Sequence, residues 1–256
     1  MRSTLLIICA ALVIAGGFVA GRVTAPDRVA PAASTAPGDQ TAMGKSIRAY
    51  LLANPEVLVE AMQELERKQD SQRDATAQKV IQEKQAELFR DADSPTAGNP
   101  GGDVVIVEFN DYQCPYCKRT HQAMKSVVGA DGKVKVIYKD LPILGDASKI
   151  AALAALAAVR QGKHQALHNA LMEYSGRLDR DKILEIAASV GLDRAQLEKD
   201  MEDPKLKEII ERNLALATAL GVRGTPAFVI GKQFVPGAID AAALRQLIAE
   251  ARKSQG

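Results

Sequence analysis

Residues 104–128 read VVIVEFNDYQCPYCKRTHQAMKSVV, and they contain the strongest structural pattern in the chain. The run 104–109 is apolar except for one acid, which is typical of a buried strand. A short polar turn leads into a CPYC motif at 114–117, and the apolar residues after it recur at helical spacing. The segment therefore predicts a buried strand that leads directly into a helix beginning at a CxxC motif.

The CxxC motif at a helix start has the properties of a dithiol redox site. Cys114 would lie at the helix N-terminus, where free backbone N–H groups and the helix dipole favour a thiolate. Pro115 suits the first helical turn, because its missing N–H is not needed there. Cys117, one turn later, can attack a mixed disulfide formed by Cys114. We therefore expect Cys114 to be the nucleophile, Cys117 the resolving thiol, and the Cys114–Cys117 disulfide the redox group, with no added cofactor.

Metal binding is the main alternative for these residue types, since CxxC is also a zinc-ligand spacing. Zinc would need two further ligands, and the mature chain has no third cysteine, so we disfavour it. His164 and His168 are four residues apart, but without a nearby third ligand we expect them to be surface or packing residues. His121 is assigned no role.

Composition bounds the functional classes. The chain has 256 residues, 47% hydrophobic and 25% charged, enough for one good core and an accessory segment. A net charge of +2, from 33 basic and 31 acidic residues, gives no electrostatic argument for nucleic-acid binding. With 5 Phe, 5 Tyr and no Trp, an aromatic stacking platform is not expected either.

The N-terminus predicts export. Residues 1–21 combine a basic start at Arg2 with an apolar run, which is typical of a secretory signal peptide cut after Ala20 or Gly21. Phe18 occupies a position where a small residue is usual, so an uncleaved anchor is the alternative. Cys9 is lost with a cleaved signal, which leaves two cysteines in an oxidising compartment. Residues 22–43 are rich in Ala, Pro, Ser and Thr and predict a flexible linker.

Residues 44–90 predict a helical segment outside the catalytic domain. Two helices are separated at Asn54-Pro55, with Asn54 as N-cap and Pro55 as the first residue of the second helix. One face carries an apolar stripe: Ile47, Leu51, Leu58, Met62 and Leu65. The stripe either packs on the catalytic domain of its own chain or joins several chains. In the second case, the polar segment 66–79 is a helical or flexible spacer.

Residues 91–256 predict an α/β domain with a mixed central sheet. A second strand is expected at 133–138, followed by a helical insertion at about 146–221. A Thr-Pro dipeptide then opens a strand at 225–230, a hairpin strand follows at 233–235, and a closing helix covers 241–253.

This combination of motifs resembles the thioredoxin superfamily. The CxxC at a strand-to-helix junction, the all-helical insertion and the Thr-Pro strand are similar to its DsbA-type branch, from about Asp103 to the C-terminus. The segment IRAYLLANPEVLVEAM, at 47–62, resembles the multimerising extension of the suppressor-of-copper-sensitivity C (ScsC) family. The fold class that this implies is a thioredoxin fold with a helical insertion and an N-terminal oligomerisation stalk.

The resemblance also implies site residues. Pro226 matches a cis-proline that faces the disulfide, and Thr225 before it would pair with an extended substrate segment. Pro115 and Tyr116, between the cysteines, would contact substrate as well. Glu108 matches a buried acid that relays the proton of Cys117, with a solvated strand-end acid as the alternative. Lys139 could neutralise Glu108, but an exposed strand-end lysine is the favoured interpretation.

The expected function is that of a disulfide isomerase or reductase acting on unfolded or misoxidised exported proteins in the periplasm. Strongly oxidising relatives carry a His beside the resolving cysteine, whereas Tyr116 brings no positive charge, so a milder oxidant is expected. Self-association, with three subunits as the expected number, would place several CxxC sites around one substrate. A membrane thiol reductase of the ScsB/DsbD type would keep the dithiol reduced.

Two other functions stay open at this level. One is a DsbA-like dithiol oxidase. The other is a Cu(I)-binding protein in copper tolerance, since the soft thiolates of Cys114 and Cys117 suit Cu(I). The CPYC sequence also occurs in glutaredoxins, but the export signal and the long insertion argue against that family.

Overall fold

The computed structural model describes residues 41–254, which form parts of two compact units, Met1–Glu60 and Ala61–Gly256. The predicted signal peptide and nearly all of the predicted linker lie outside the described residues. Within residues 41–254, no helix is both long enough and apolar enough to cross a membrane.

The first unit contains helix α1 (Ala42–Ala53) and the start of α2 (Glu56–Glu83). Thr41 caps α1, because its hydroxyl accepts a hydrogen bond from the N–H of Gly44 at 3.0 Å. The break at Asn54-Pro55 is confirmed, although Asn54 caps the C-terminus of α1 and α2 begins one residue after Pro55. Large apolar side chains of this unit are exposed: Met43, Ile47, Tyr50, Leu52, Leu58 and Val59.

The polar segment 66–79 is helical throughout, as part of α2. Ion pairs three or four residues apart support the exposed helix, including Glu64 with Arg67 at 2.6 Å. Farther along α2, Ala77 and Ile81 are buried in the core of the second unit. A short helix, α3 (Gln85–Phe89), follows and buries Leu88. The catalytic domain was expected to start at residue 91, and these buried residues show that its core already includes the end of α2.

A mixed five-stranded sheet forms the centre of the second unit, in the order β1-β3-β2-β4-β5. The strands are β1 (Thr96–Gly98), β2 (Val104–Asn110), β3 (Val134–Asp140), β4 (Ala227–Ile230) and β5 (Gln233–Pro236). Strands β2 and β3 are parallel, and the other neighbouring pairs are antiparallel. The mixed sheet is confirmed, whereas β1 was not predicted and β3 continues two residues beyond the predicted end.

The helices match the predicted order. The CPYC helix is α4 (Pro115–Asp131), and Gly132 ends it with a φ of 68°, a left-handed conformation that favours glycine. The closing helix is α10 (Ala241–Lys253), with Asp240 as N-cap. The insertion predicted at 146–221 consists of α5 (Asp146–Ala157), a 3-10 turn (Ala158–Gln161), α6 (His164–Glu173), α7 (Arg180–Ser189), α8 (Arg194–Met201) and α9 (Pro204–Ala219).

Alternation along β2 and β3 sends side chains to two different cores. Ile106, Val136 and Tyr138 face the core that contains Met124 of α4. Val107, Phe109 and Ile137 face the opposite core, with residues of α2 and α9. A third core lies within the helical insertion and includes both cysteines of the CPYC motif. The thioredoxin fold with a helical insertion is therefore confirmed for residues 61–254.

Candidate active site

The two cysteines lie at the N-terminus of α4, as the sequence predicts. Cys114 is the N-cap, and its Sγ accepts a hydrogen bond from the N–H of Cys117 at 3.4 Å. Pro115 occupies the first helical position. Both cysteines are free thiols, 3% and 0% exposed. Asp111 fixes the preceding turn, because its carboxylate accepts hydrogen bonds from the backbone N–H groups of Gln113, Ile143 and Leu144 at 2.8–3.0 Å.

The Thr-Pro loop faces the first cysteine. The Thr225–Pro226 peptide bond is cis, which confirms the expectation for Pro226. Cys114 Sγ lies 3.1 Å from the carbonyl oxygen of Thr225, to which the protonated thiol donates a hydrogen bond. The loop therefore lies against the dithiol although it is more than a hundred residues away in the chain.

The environment separates the two thiols electrostatically. The pKa of Cys114 falls to about 5, because the thiolate accepts hydrogen bonds from the Cys117 thiol, the Thr225 hydroxyl and backbone N–H groups. Burial raises the pKa of Cys117 far above its usual value. At neutral pH, Cys114 is therefore a thiolate and Cys117 a protonated thiol. This is the division that dithiol exchange needs, with one nucleophile ready and one thiol held back.

Glu108 is a buried acid and not a solvated strand-end residue. It is 2% exposed in the middle of β2 and takes part in no ion pair among residues 41–254. Burial and the nearby Asp140 carboxyl raise its pKa to about 8. Its side chain lies on the sheet face that α4 covers, because it alternates with Val107 and Phe109 of the opposite core. Glu108 can therefore bind and release a proton near neutral pH.

Lys139 corrects a prediction. It was expected to be exposed, yet it is 1% exposed, and its ammonium lies 2.8 Å from the carboxylate of Asp91. It cannot neutralise Glu108, because Glu108 pairs with Tyr138 in the sheet, and Lys139 therefore points to the opposite face. Its buried charge is instead neutralised by a residue of the loop before β1.

Several buried polar residues near the site had no prediction. Asp140, at the end of β3, is 1% exposed, and burial raises its pKa to about 7. Tyr112 lies two residues before Cys114, and its hydroxyl is 3.1 Å from Nδ1 of His168 in α6. No local pattern marks Asp140, because the charged pair Lys139-Asp140 follows the apolar part of β3 at a place where charged residues usually reach the surface.

The exposed side of the motif carries an aromatic ring and a cation. Tyr116, between the cysteines, is 54% exposed. The guanidinium of Arg119 lies 5.1 Å from the centre of its ring, within cation–π distance. Tyr116 is therefore available to an incoming substrate, with a positive charge beside it that the sequence analysis did not assign.

No group of three or more His, Cys, Asp or Glu side chains within residues 41–254 has a geometry that could hold a metal ion. His164 and His168 are both buried, at 6% and 0% exposed, and their rings stack with centres 5.8 Å apart. They are packing residues, which is one of the two roles expected for them.

Comparison with known proteins agrees with this geometry. The family described as "DSBA-like thioredoxin domain" matches residues 105–249, and "Copper resistance protein ScsC N-terminal domain" matches residues 39–72. The first curated relatives are Na(+)/H(+) antiporters NhaA; that of Salinispora arenicola is 26% identical over 150 residues. The alignment covers 58% of this chain and only 23% of that protein.

Solved structures give longer matches. A thioredoxin-like oxidoreductase from Silicibacter pomeroyi is 46% identical, with 66% of this chain and 97% of that chain covered and a TM-score of 0.64. The catalytic domain of Proteus mirabilis ScsC is 31% identical, with 69% and 98% covered and a TM-score of 0.64. A periplasmic thioredoxin-like protein from Salmonella enterica serovar Typhimurium is 35% identical, with 66% and 95% covered and a TM-score of 0.62.

The family match covers more than half of the chain, and the matched segment contains the cysteines, the buried acid and the cis-proline. The chain therefore belongs to the DsbA-like thioredoxin-domain family.

Proposed function

We propose that this protein is a periplasmic disulfide isomerase or reductase that acts on exported proteins and works as a multimer. The proposal rests mainly on one observation. Eight of the thirteen large apolar side chains exposed among the described residues lie within residues 43–65. An apolar surface of this kind, on α1 and the first part of α2, calls for a covering partner.

A second copy of the same chain is the partner that fits this surface. Ile47 and Tyr50 of α1 are 53% and 58% exposed, and Leu58 of α2 is 50% exposed. All three residues lie within the segment 39–72 of this chain, which matches the ScsC N-terminal domain family. Self-association through these helices would bring several dithiols to one substrate, which suits repeated attack on a misfolded protein. We infer three subunits from the family resemblance.

Within each subunit, Cys114 attacks a substrate disulfide and forms a mixed disulfide with it. Cys117 then resolves this species, and Glu108 takes up the proton that Cys117 loses. Pro115, Tyr116, Thr225 and Pro226 surround Cys114 and hold the substrate segment. The cysteine pair is itself the redox group, so the reaction needs no added cofactor.

The acidity of Cys114 supports an intermediate redox character. A pKa of about 5 lies between about 3.5 for a strongly oxidising dithiol and about 7 for a reducing one. Such a site exchanges disulfides in both directions, provided that a reductant keeps part of it as the dithiol. A membrane thiol reductase of the ScsB/DsbD type is the proposed source of electrons.

The test is rescue of a scrambled multi-disulfide substrate in a redox buffer. We expect catalytic amounts of the reduced protein to restore the native substrate and Cys114→Ser to abolish the effect. Oxidation of a reduced substrate without rescue of the scrambled one would indicate a DsbA-like oxidase instead. Failure in both assays, with Cu(I) held against a strong chelator by Cys114 and Cys117, would favour copper binding.

A further inference from the structure

Two carboxyl groups share one face of the sheet beneath the active-site helix. Parallel strands β2 and β3 pair Glu108 with Tyr138, and Asn110 with Asp140. Paired residues and residues two apart point to the same face, so all four side chains lie on the side that α4 covers. The function proposed above uses only Glu108. Asp140 is as deeply buried, at 1% exposed against 2%.

The surroundings of this carboxyl pair contain no compensating cation. Neither Glu108 nor Asp140 forms an ion pair with any residue of 41–254. Asp140 Oδ1 accepts a hydrogen bond from the amide of Asn110 at 3.2 Å, while its Oδ2 has no partner within hydrogen-bonding distance. The nearby charge of Asp111 disfavours ionisation of Asp140 further. Both carboxyls are buried, and the charge of Asp140 opposes ionisation of Glu108, so the two do not both ionise readily near neutral pH.

Buried polar groups lie next to Asp140. The hydroxyl of Tyr112 is near enough to Asp140 to lower its pKa, and it also lies 3.1 Å from Nδ1 of His168. The ring of His168 is 5.3 Å from that of His121. His121 borders a surface cavity of about 270 Å³, and its Nε2 is 3.9 Å from the carboxylate of Glu173. Within residues 41–254, Nε2 of His168 and Nε2 of His121 have no hydrogen-bond partner, so the hydrogen-bonded contacts from Asp140 end at His168.

We propose that Asp140 is a positioning residue for the thiol–disulfide reaction: its buried carboxyl lies on the same sheet face as Glu108 beneath α4, and its charge sets the pH at which Glu108 accepts the proton of Cys117. The inference rests on Cys117 as the resolving thiol with Glu108 as its proton acceptor, as proposed above. It does not depend on whether the protein is an isomerase or an oxidase.

The reaction step balances as follows in the reductive direction. The sulfur of Cys117 forms a bond to Cys114 Sγ, and the bond between Cys114 and the substrate sulfur breaks. The electron pair leaves on the substrate, which takes up a proton from water as a thiol. The Cys117 proton passes to the carboxyl pair. The two cysteines are thereby oxidised to a disulfide and the substrate disulfide is reduced.

The direction of the pH effect follows from the charge of Asp140. When Asp140 is ionised, its charge raises the pKa of Glu108. Glu108 is then an ionised carboxylate, able to accept the proton of Cys117, only at higher pH. Asp140→Asn removes this charge and keeps the acceptor for Asn110. The resolving step should then reach half of its maximal rate at a pH about one unit lower. Tyr112→Phe removes a group that favours ionised Asp140, so Asp140 is more often neutral and the midpoint should also move downward, by less than in Asp140→Asn.

The experiment is rapid mixing of the reduced protein with Ellman's reagent between pH 5 and 10. The first release of coloured thiol reports attack by Cys114, and the second reports attack by Cys117 on the mixed disulfide. We expect Asp140→Asn to shift only the second phase, to lower pH, and Tyr112→Phe to shift it in the same direction by a smaller amount. Asp200→Asn changes a buried acid of the insertion and should leave both phases unchanged.

The double variant separates this inference from the proposed role of Glu108. In a Glu108→Gln background, Asp140→Asn should have no further effect on the midpoint, because Asp140 acts through Glu108. An unchanged midpoint in Asp140→Asn, or a shift of equal size in the Glu108→Gln background, would overturn the inference. If Glu108→Gln alone left the pH profile unchanged, the role of Glu108 itself would fail first.

Discussion

Cys114 Sγ lies 3.1 Å from the carbonyl oxygen of Thr225, which immediately precedes the cis-proline Pro226. This contact joins the start of α4 to the loop before β4. The hydroxyl of Thr225 also stabilises the Cys114 thiolate. Thr225 therefore affects the reactivity of the dithiol directly, in addition to its proposed role in substrate binding.

Thr225→Val should raise the pKa of Cys114 from its value of about 5 by about one unit. The substitution keeps the shape of the side chain but removes the hydroxyl that stabilises the thiolate. The pH dependence of alkylation by iodoacetamide measures the change in the reduced protein. Thr225→Ser retains the hydroxyl and should stay close to wild type; equal shifts in both variants would contradict the assignment.

Glu108→Gln should stabilise the folded protein at pH 9 and have little effect at pH 4. The pKa of Glu108 in the folded protein, about 8, lies above its usual value of 4.5. The contribution of Glu108 to the free energy of unfolding is therefore complete below pH 4.5 and is lost as the pH rises through 8. Each unit of difference between the folded and unfolded pKa corresponds to about 1.36 kcal/mol, so the free energy of unfolding of Glu108→Gln at pH 9 should exceed that of wild type by several kcal/mol.

Urea denaturation at both pH values measures this difference in the free energy of unfolding. The exposed Glu66→Gln should show no such pH dependence and is the matched control. Equal stability of Glu108→Gln and wild type at pH 9 would mean that Glu108 ionises without cost where it lies.

Asp91→Asn should destabilise the protein by about 3 kcal/mol, because it leaves the buried ammonium of Lys139 without its partner. Burial alone would raise the pKa of Asp91, but hydrogen bonds, chiefly from Lys139, lower it overall. The stabilisation from this ionised pair is therefore present above pH 3.8 and lost as the pH falls through the lowered pKa.

Thermal or urea unfolding at pH 7 measures the effect. Asp93→Asn is the control, since Asp93 pairs with Lys205 and Arg212 at a more exposed position and should cost at most about 1 kcal/mol. A smaller loss for Asp91→Asn than for Asp93→Asn would show that Lys139 tolerates burial alone.

The central sheet and the dithiol were predictable because their determinants are local. The apolar run of β2 and the CPYC motif are contiguous, and the Thr-Pro dipeptide directly precedes β4. Strand β1 was missed, because Thr96–Gly98 has no apolar pattern and pairs only through β3. A three-residue edge strand of this kind depends on its neighbour and not on its own sequence.

Lys139 and Asp140 show a second limit of sequence analysis. The alternation in β3 appeared to end at Tyr138, where charged residues usually mark the surface. The strand continues under the helical insertion, where the Asp140 carbonyl accepts a hydrogen bond from Asn213 of α9. The partner of Lys139 is 48 residues away in the chain, so no local pattern could indicate its burial. Buried charges become visible only once the tertiary contacts are known.

The most direct measurement for the proposed function is the isomerase rate per active site of an Ile47→Glu, Leu58→Glu variant, determined together with its mass in solution. Both substitutions place charge in the exposed apolar surface of α1 and α2, and Lys45→Glu on α1 is the control. We predict a multimeric wild type, a single-chain variant, unchanged Cys114 alkylation, and an isomerase rate at least about tenfold lower in the variant. A wild type of single-chain mass, or a dissociated variant with the full isomerase rate, would contradict the account.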